Sequence, residues 1–205
     1  MSRPRLLDLF CCAGGAAVGY HDAGFNITGI DIKPQHNYPY EFIQMDAMAA
    51  LHDLEQAKRR GEPIPWDAIH ASPPCQAYAN VTKWTGDQSK HPDLLPEVLR
   101  ALRVIGVPFV IENVPGAPMH PTYILCGSQF GLPVRRHRWF LMEPAVMALA
   151  PSCQHRASDL AFEHKAERAY ADAMGCDWMT AVEARQAIPP AYTKWIGERL
   201  MEVVS

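Results

Sequence analysis

Four side chains that could take part in catalysis or ligand binding stand at or just after the ends of short apolar runs: Asp31, Asp46, Cys75 and Glu112. A thiol in such a place can be a nucleophile, and a carboxyl group behind an apolar run can have a raised pKa and act as an acid. A carboxylate that ends a strand can also accept hydrogen bonds from ribose hydroxyls. In isolation, a structural cysteine, a helix cap or a loop-organising glutamate explains these residues about equally well.

The surroundings of Cys75 favour an exposed thiol. Two prolines stiffen the backbone in Ser72-Pro73-Pro74-Cys75-Gln76, and the polar stretch from Ala77 to His91 is predicted to be a loop that could act as a lid. A basic run, Arg135-Arg136-His137-Arg138, precedes an apolar segment and could hold phosphates or a base carbonyl, although charge runs are more often solvated faces.

The N-terminal segment from Asp8 to Gly15 reads as a strand that enters a glycine-bearing turn and a helix. Small residues at such a turn let a cofactor approach the backbone, as in dinucleotide-binding folds. Many such turns are plain tight connections, so this segment alone is a weak signal.

Alternating strands and helices must position these groups. The pattern predicts parallel crossover units and therefore a three-layer α/β sandwich around a mostly parallel, Rossmann-like sheet, with ligands beyond the carboxyl ends of the strands. The predicted strands are Arg5 to Phe10, Asn26 to Asp31, Tyr40 to Asp46, Trp66 to Ala71, Pro108 to Val114 and His137 to Met142. The predicted helices are Gly14 to Ala23, Ala47 to Arg60, Leu94 to Ile105, Glu163 to Met174, Trp178 to Gln186 and Pro190 to Val204.

Composition narrows the function classes. The chain has 205 residues, of which 48% are hydrophobic, and its net charge is −3, which suits one domain with a real core and argues against a generally basic nucleic-acid coat. Because it has neither a bilayer-length apolar run nor a signal-peptide start, we expect no membrane partner and a cytoplasmic location. The six cysteines include no C-x2-C pair. Cys153, His155 and His164 could be imagined as ligands, but we expect a reduced protein without metal.

Taken together and in this order, the segments resemble the cytosine-5 DNA methyltransferase family, in a compact, bacteriophage-type form. Asp8-Leu9-Phe10 with Gly14-Gly15 matches the cofactor motif, and Pro74-Cys75-Gln76 the nucleophile motif. Glu112-Asn113-Val114 matches the acid motif, Arg136-His137-Arg138 the arginine motif, and Gln186-Ala187-Ile188-Pro189-Pro190 the last cofactor motif.

The resemblance implies a methyl transfer to a cytosine that is flipped out of double-stranded DNA. Cys75 would add to carbon 6 of the base, and Glu112 would hydrogen-bond or protonate ring nitrogen 3. Arg138, with Arg136 behind it, would hold the base carbonyl and the cysteine loop, and Asn113 would order the site through backbone contacts.

The resemblance also implies S-adenosylmethionine as the donor and S-adenosylhomocysteine as the product. Phe10 would face the adenosyl group, Asp31 would hold the ribose and Asp46 would reach the adenine edge. The other residues predicted to bind the cofactor are Gly14, Gly15, Pro74 and Gln186.

The sequence departs from the family in two respects. Cys12 replaces a usual glycine, Val134 a usual glutamine, Gln186 a usual asparagine and Ile32 a frequent aromatic residue, which affects the cofactor turn more than the chemistry. The second departure is length, because only 143–185 lie between the arginine motif and the last motif. We expect residues 1–205 to form one methyltransferase domain, with 143–185 as a reduced recognition region, and the protein to be a monomer.

Two alternatives stay open. The same chemistry could act on RNA, since the core motifs do not distinguish the sugar, or the chain could be a degenerate protein that binds nucleic acid or cofactor. A metal-dependent hydrolase is disfavoured for want of a ligand cluster in the sequence.

Overall fold

A seven-stranded sheet forms the centre of the computed structural model, which describes residues 2–76, 78, 92–161 and 167–204. The strand order is β3-β2-β1-β4-β5-β7-β6, and β7 runs antiparallel to both of its neighbours, whereas the pairs among β1 to β5 are parallel. The strands are β1 (Arg5–Leu9), β2 (Asn26–Asp31), β3 (Glu41–Gln44), β4 (Ala68–Ala71), β5 (Phe109–Asn113), β6 (Tyr123–Leu125) and β7 (Arg138–Glu143).

Helices cover both faces of this sheet. The helices of the described residues are α1 (Gly15–Asp22), α2 (Ala47–Arg59), α3 (Leu95–Ile105), α4 (Glu167–Ala173), α5 (Ala181–Ala184) and α6 (Pro190–Val204), with a 3-10 helix at Gly127–Phe130. On one face α1 packs against α6, and on the other α2 packs against α3. The predicted three-layer α/β sandwich is therefore confirmed.

Alternation along β1 divides the core into two layers. Leu6 belongs to the apolar cluster under α1 and α6, whereas Leu7 and Leu9 belong to the cluster under α2 and α3. Successive side chains of a strand point to opposite faces, so a central strand covered on both sides reads as a continuous apolar run.

Two glycines allow α1 and α6 to approach closely. A Cβ atom at Gly19 would lie 2.1 Å from the Pro190 carbonyl oxygen, and one at Gly197 would lie 2.6 Å from the Ala23 Cβ. This contact seats the C-terminal helix beside the first strand and brings the chain around Gln186 back to the cofactor turn.

Most sequence-predicted elements are present with ends that shift by one to three residues, but two predictions differ from the structure. The strand expected over Tyr40 to Asp46 is shorter because Asp46 is the N-cap of α2. The helix expected over Trp178 to Gln186 is only one turn, since Thr180 caps it and forms a capping box with Glu183.

Sequence reasoning also missed β6, whose three residues are too few to show a period, and the 3-10 helix that follows it. The part of the helix predicted before Glu167 lies outside the described residues, and so does most of the predicted lid from Ala77 to His91. In the described parts of the chain, no helix combines the length and apolar character that crossing a membrane requires.

Candidate active site

A cavity of about 270 Å³ opens beyond the carboxyl ends of the central parallel strands. The sequence-predicted site residues that line it are Phe10, Gly15, Asp31, Pro74, Cys75, Glu112, Arg136, Arg138 and Gln186. Residues from six separate segments therefore meet at the sheet edge where the topology predicts a ligand.

The three other predicted site residues lie outside this lining and support the backbone around it. Gly14 precedes α1 with a φ of 84°, a left-handed conformation that favours glycine. Asp46 accepts a hydrogen bond from the Met48 N–H at 2.9 Å, so its predicted contact with adenine stays a prediction. The Asn113 amide donates to the Pro73 carbonyl at 3.1 Å and thereby ties β5 to the loop that carries Cys75.

The catalytic end of the cavity holds a buried ion pair. Arg138 Nε lies 2.9 Å from Glu112 Oε1, and the two side chains are only 15% and 8% exposed. Cys75 is partly buried and lines the same cavity. A nucleophile, a potential acid and a cation are thus brought together from three different strand ends.

Burial governs the protonation of this group. Desolvation raises the pKa of Glu112, while Arg138, Arg136 and a hydrogen bond from Ser72 oppose the rise. Desolvation, and secondarily the Glu112 charge, also raise the pKa of Cys75, against Arg138 and Arg136. The thiol is therefore the resting form of Cys75 near neutral pH, and neutralising Glu112 favours its ionisation.

A buried hydrogen-bonded chain behind Glu112 was not found from the sequence. The Tyr20 hydroxyl lies 3.0 Å from His70 Nδ1, and His70 Nε2 lies 2.9 Å from Ser72 Oγ, which in turn hydrogen-bonds Glu112. Burial lowers the pKa of His70 to about 3, so the ring is neutral and can donate from one nitrogen only. A histidine inside the apolar run of β4 was the available signal.

Arg136 has a different position from Arg138. Its guanidinium donates to the Tyr170 hydroxyl at 3.1 Å and to the Arg185 carbonyl at 3.0 Å. It therefore links β7 to α4 and to the segment before α6, and acts on Glu112 and Cys75 only through its charge.

The cofactor end of the cavity is a tight turn with two strained residues. Phe10 and Cys12 have φ values of 59° and 46°, in the left-handed region that non-glycine residues rarely adopt. The Asp31 carboxylate accepts hydrogen bonds from the Cys12 N–H at 3.0 Å and the Lys33 N–H at 2.9 Å. These bonds hold Asp31 in place at the cavity edge.

One oxygen of a buried carboxyl group at this end lacks a hydrogen-bond partner among the described residues. Asp8 is 1% exposed and lines the cavity, and its Oδ1 has no hydrogen-bond partner among the described residues, while Oδ2 accepts from Tyr38. Burial raises the pKa of Asp8 to about 8. Asp8 is therefore mostly protonated near neutral pH in the free protein, and a ligand that carries positive charge, as the sulfonium and ammonium groups of S-adenosylmethionine do, would favour its ionised form beside Asp31.

The last predicted cofactor motif reaches this turn. The Cys12 thiol donates to Gln186 Oε1 at 3.4 Å, and a Cβ atom at Gly15 would lie 2.5 Å from the Ile188 carbonyl oxygen. Ile32, at the position where the family often has an aromatic residue, is 63% exposed and lines the cavity.

The sheet order, with its antiparallel β7 next to the edge, and a cavity at the carboxyl ends define an α/β fold of the S-adenosylmethionine-dependent methyltransferase type. The model of the family "C-5 cytosine-specific DNA methylase" matches residues 4–124, more than half of the chain. The chain therefore belongs to this family, which confirms the resemblance seen in its motifs. The match includes Cys75 and Glu112, whereas Arg138 and Gln186 lie beyond it.

Curated relatives are type II methyltransferases. M.XorII of Xanthomonas oryzae pv. oryzae is 28% identical over 151 residues, which cover 70% of this chain and 32% of that protein. M.AquIA of Picosynechococcus is 29% identical over 122 residues, which cover 55% of this chain and 49% of that protein. The chain thus matches less than half of each relative.

Solved structures show the same fold at low sequence identity. A DNA modification methyltransferase encoded within an E. coli prophage superposes with a TM-score of 0.50 at 22% identity, covering 68% of this chain and 46% of that one. The Entamoeba histolytica methyltransferase EhMeth also gives a TM-score of 0.50, at 16% identity and 76% and 58% coverage.

Proposed function

We propose that this chain is a DNA (cytosine-5-)-methyltransferase that transfers a methyl group from S-adenosylmethionine to carbon 5 of a flipped-out cytosine through a Cys75 adduct. The observation that carries the proposal is the shared cavity, in which Cys75 and the Glu112–Arg138 pair lie opposite the acidic cofactor end. Carbons 5 and 6 of a stacked cytosine are covered by their neighbours, so the base must leave the helix to reach such a cavity.

The catalytic residues divide the work by charge. The Cys75 thiolate forms a bond to carbon 6, and Glu112 donates a hydrogen bond or proton to ring nitrogen 3 so that the electrons displaced toward carbon 5 do not leave an anionic ring. Carbon 5 takes the methyl group; its proton is then lost to a base, and the Cys75–carbon 6 bond breaks to restore the ring. Arg138 keeps Glu112 oriented and can also hold the base carbonyl.

The two ionisations support each other. While Glu112 is an anion it raises the pKa of Cys75. When Glu112 is protonated and donates a hydrogen bond to ring nitrogen 3, it no longer raises the pKa of Cys75. The positive charges of Arg138 and Arg136 then favour the thiolate. Binding of the correct base would therefore activate the nucleophile, which limits reaction of Cys75 in the free protein.

Residues at the cofactor end of the cavity would bind S-adenosylmethionine. S-adenosylmethionine, when bound, supplies an electrophilic methyl group. Asp31 would accept hydrogen bonds from the ribose, Phe10 would face the adenosyl group, and Gly15 leaves room for the methionine portion. The Asp8 carboxyl, with its free oxygen, would lie near the positive groups of the cofactor.

The recognition region is proposed to be residues 143–185, with double-stranded DNA as the partner. This segment is short, and much of 144–156 is exposed and without regular secondary structure. The chain would act as a monomer in the cytoplasm of a bacterium or a phage-infected cell.

Trapping on 5-fluorocytosine tests the proposal directly. Fluorine at carbon 5 cannot leave as a cation, so DNA that contains this base, together with S-adenosylmethionine, should form a complex that survives denaturation on a gel. Cys75→Ala should abolish the complex, whereas Cys12→Ala, which removes another thiol of the same cavity, should retain it.

The substrate follows from the same assay. Trapping on transfer RNA that contains 5-fluorocytosine, with none on DNA, would replace the DNA proposal with the RNA alternative. Failure to trap on either nucleic acid, by a folded protein that binds S-adenosylmethionine, would indicate a degenerate binding protein.

A further inference from the structure

A second cluster of reactive side chains lies next to the arginine motif. One ligand-type atom from each of Cys126, His137, Cys153 and His155 falls within 4.8 Å of all the others. Cys126 Sγ and Cys153 Sγ each lie 3.1 Å from His155 Nε2, and Cys153 Sγ lies 3.5 Å from His137 Nε2. We propose that these four residues bind one structural Zn²⁺ ion.

The spacing matches a tetrahedral site. With Zn–S bonds of about 2.3 Å and Zn–N bonds of about 2.0–2.1 Å, the ligand atoms at the corners of a tetrahedron lie roughly 3.3–3.8 Å apart. The sulfur–nitrogen distances of 3.1–3.5 Å are close to this range. Two thiolates and two imidazoles in a tetrahedral arrangement select zinc among the common divalent ions.

Neighbouring donors are arranged to stabilise thiolates. The Gln129 N–H points to the Cys126 sulfur as part of a capping box at the start of the 3-10 helix. Ser128 Oγ accepts from the Gln154 N–H at 3.1 Å, so its own proton is available for Cys153 Sγ at 3.4 Å. Such outer hydrogen bonds are typical of ligands that coordinate a metal.

The site would tie the irregular segment after β7 to the adjacent ends of β6 and β7, which the pairing of Leu125 with Arg138 holds together. Cys126 directly follows β6, His137 directly precedes β7, and Cys153 and His155 belong to the irregular segment after β7. With four protein ligands and no open position, the ion would be structural rather than catalytic. Because His137 stands between Arg136 and Arg138, the ion would also fix the backbone that carries both arginines.

This inference differs from the sequence-based expectation of a protein without metal. Cys153 and His155 had been considered as ligands with His164, which lies outside the described residues. The fold supplies Cys126 and His137 instead, from positions 27 and 16 residues before Cys153. The inference does not depend on the proposed methyl transfer.

Metal analysis of the full chain tests the site. Protein expressed in zinc-supplemented medium and purified without chelator should carry one zinc ion per chain, measured by mass spectrometry. Replacing the zinc with cobalt should give the absorption spectrum of a tetrahedral cobalt–thiolate site. Cys153→Ala and His155→Ala, both at exposed positions, should lose the ion. His52→Ala, which removes an exposed histidine of α2, should keep it.

Stability provides a second readout that does not rely on purification. A strong chelator should lower the Tm of the wild-type protein and of His52→Ala, but not that of the folded Cys153→Ala variant, because metal binding to the native state adds to stability. Zinc retained at full stoichiometry by a Cys153→Ala/His155→Ala double variant would overturn the proposal. So would a wild-type protein that binds neither zinc nor cobalt, or whose mass shows a Cys126–Cys153 disulfide.

Discussion

Replacing Arg138 by methionine tests the electrostatic account of the active site most directly. The substitution keeps a long side chain but removes the guanidinium that lies 2.9 Å from Glu112 Oε1, in a place where both side chains are largely buried. Removing one partner of a buried pair leaves the other charge without compensation and costs about 3–5 kcal/mol.

The pH dependence follows from the sign of the shift. Burial already raises the pKa of Glu112, and Arg138 is the main opposing charge, so Arg138→Met should raise the pKa further. A folded state that keeps a proton which the unfolded chain has lost becomes less stable as pH rises, by about 1.4 kcal/mol per pH unit up to the folded pKa. About 2.7 units separate an ordinary glutamate pKa from pH 7, so keeping Glu112 protonated costs at most about 3.7 kcal/mol there. The wild type already carries the part that its own raised pKa causes, and the substitution adds the remainder.

A double-mutant cycle with Glu112→Gln isolates this effect. Urea unfolding, followed by tryptophan fluorescence between pH 5 and pH 7, should show a large and pH-dependent cost of Arg138→Met in the wild-type background. In the Glu112→Gln background no carboxyl group remains to be stranded, so the cost should be smaller and flat with pH. Arg103→Met, at the exposed pair with Glu143, should cost no more than about 1 kcal/mol.

Equal costs of Arg138→Met in both backgrounds, without a pH slope, would refute the claim that Arg138 controls the Glu112 charge. The same result would also remove the basis for coupling the ionisation of Cys75 to base binding.

Three further predictions concern other parts of the molecule. The pKa of His70 falls to about 3 on folding, so the wild-type protein should lose stability as pH falls below the ordinary histidine pKa. The free energy of unfolding should be lower by about 1.4 kcal/mol at pH 5.5 than above pH 7 from this residue alone. His70→Gln should lack this part of the pH dependence in urea titrations. Cys12→Gly relieves a left-handed residue that costs about 1–2 kcal/mol and loses the thiol contacts with Gln186 and Asp31. Calorimetry should therefore show equal or tighter S-adenosylmethionine binding, and a loss of more than about tenfold would contradict this. Few side chains of 143–185 can reach base edges, each worth about 1–3 kcal/mol of discrimination, so bisulfite mapping of methylated plasmid should return a recognition site of at most about four base pairs; one long, strict site would contradict the idea of a reduced recognition region.

The sequence alone predicted the architecture, and nine of its twelve predicted site residues line the cavity. Strands β1, β2, β4 and β5 are short apolar runs separated by helical periods, and such local signals determine secondary structure when both sheet faces are covered. Because parallel strands end at the same edge, the residues that follow them, such as Asp31 and Cys75, had to converge. The convergence of these residues did not require knowledge of any side-chain contact.

Tertiary structure alone decided which side chains are paired. In the sequence only His70 stands out, as a histidine in an apolar run, yet the fold brings Tyr20 against it and connects both to Glu112 through Ser72. Likewise, the separate position of Arg136 depends on how α4 and the segment before α6 return to the sheet.

The four proposed zinc ligands illustrate the physical reason for this division. Cys126, His137, Cys153 and His155 show no ligand spacing typical of a zinc motif, because the structure brings them together at two strand ends and an irregular segment rather than on one local loop. Local propensity determines where strands and helices begin, since it depends on neighbours in the chain. Which distant thiols and imidazoles meet depends on the path of the loops, and that path is determined only when the whole core packs.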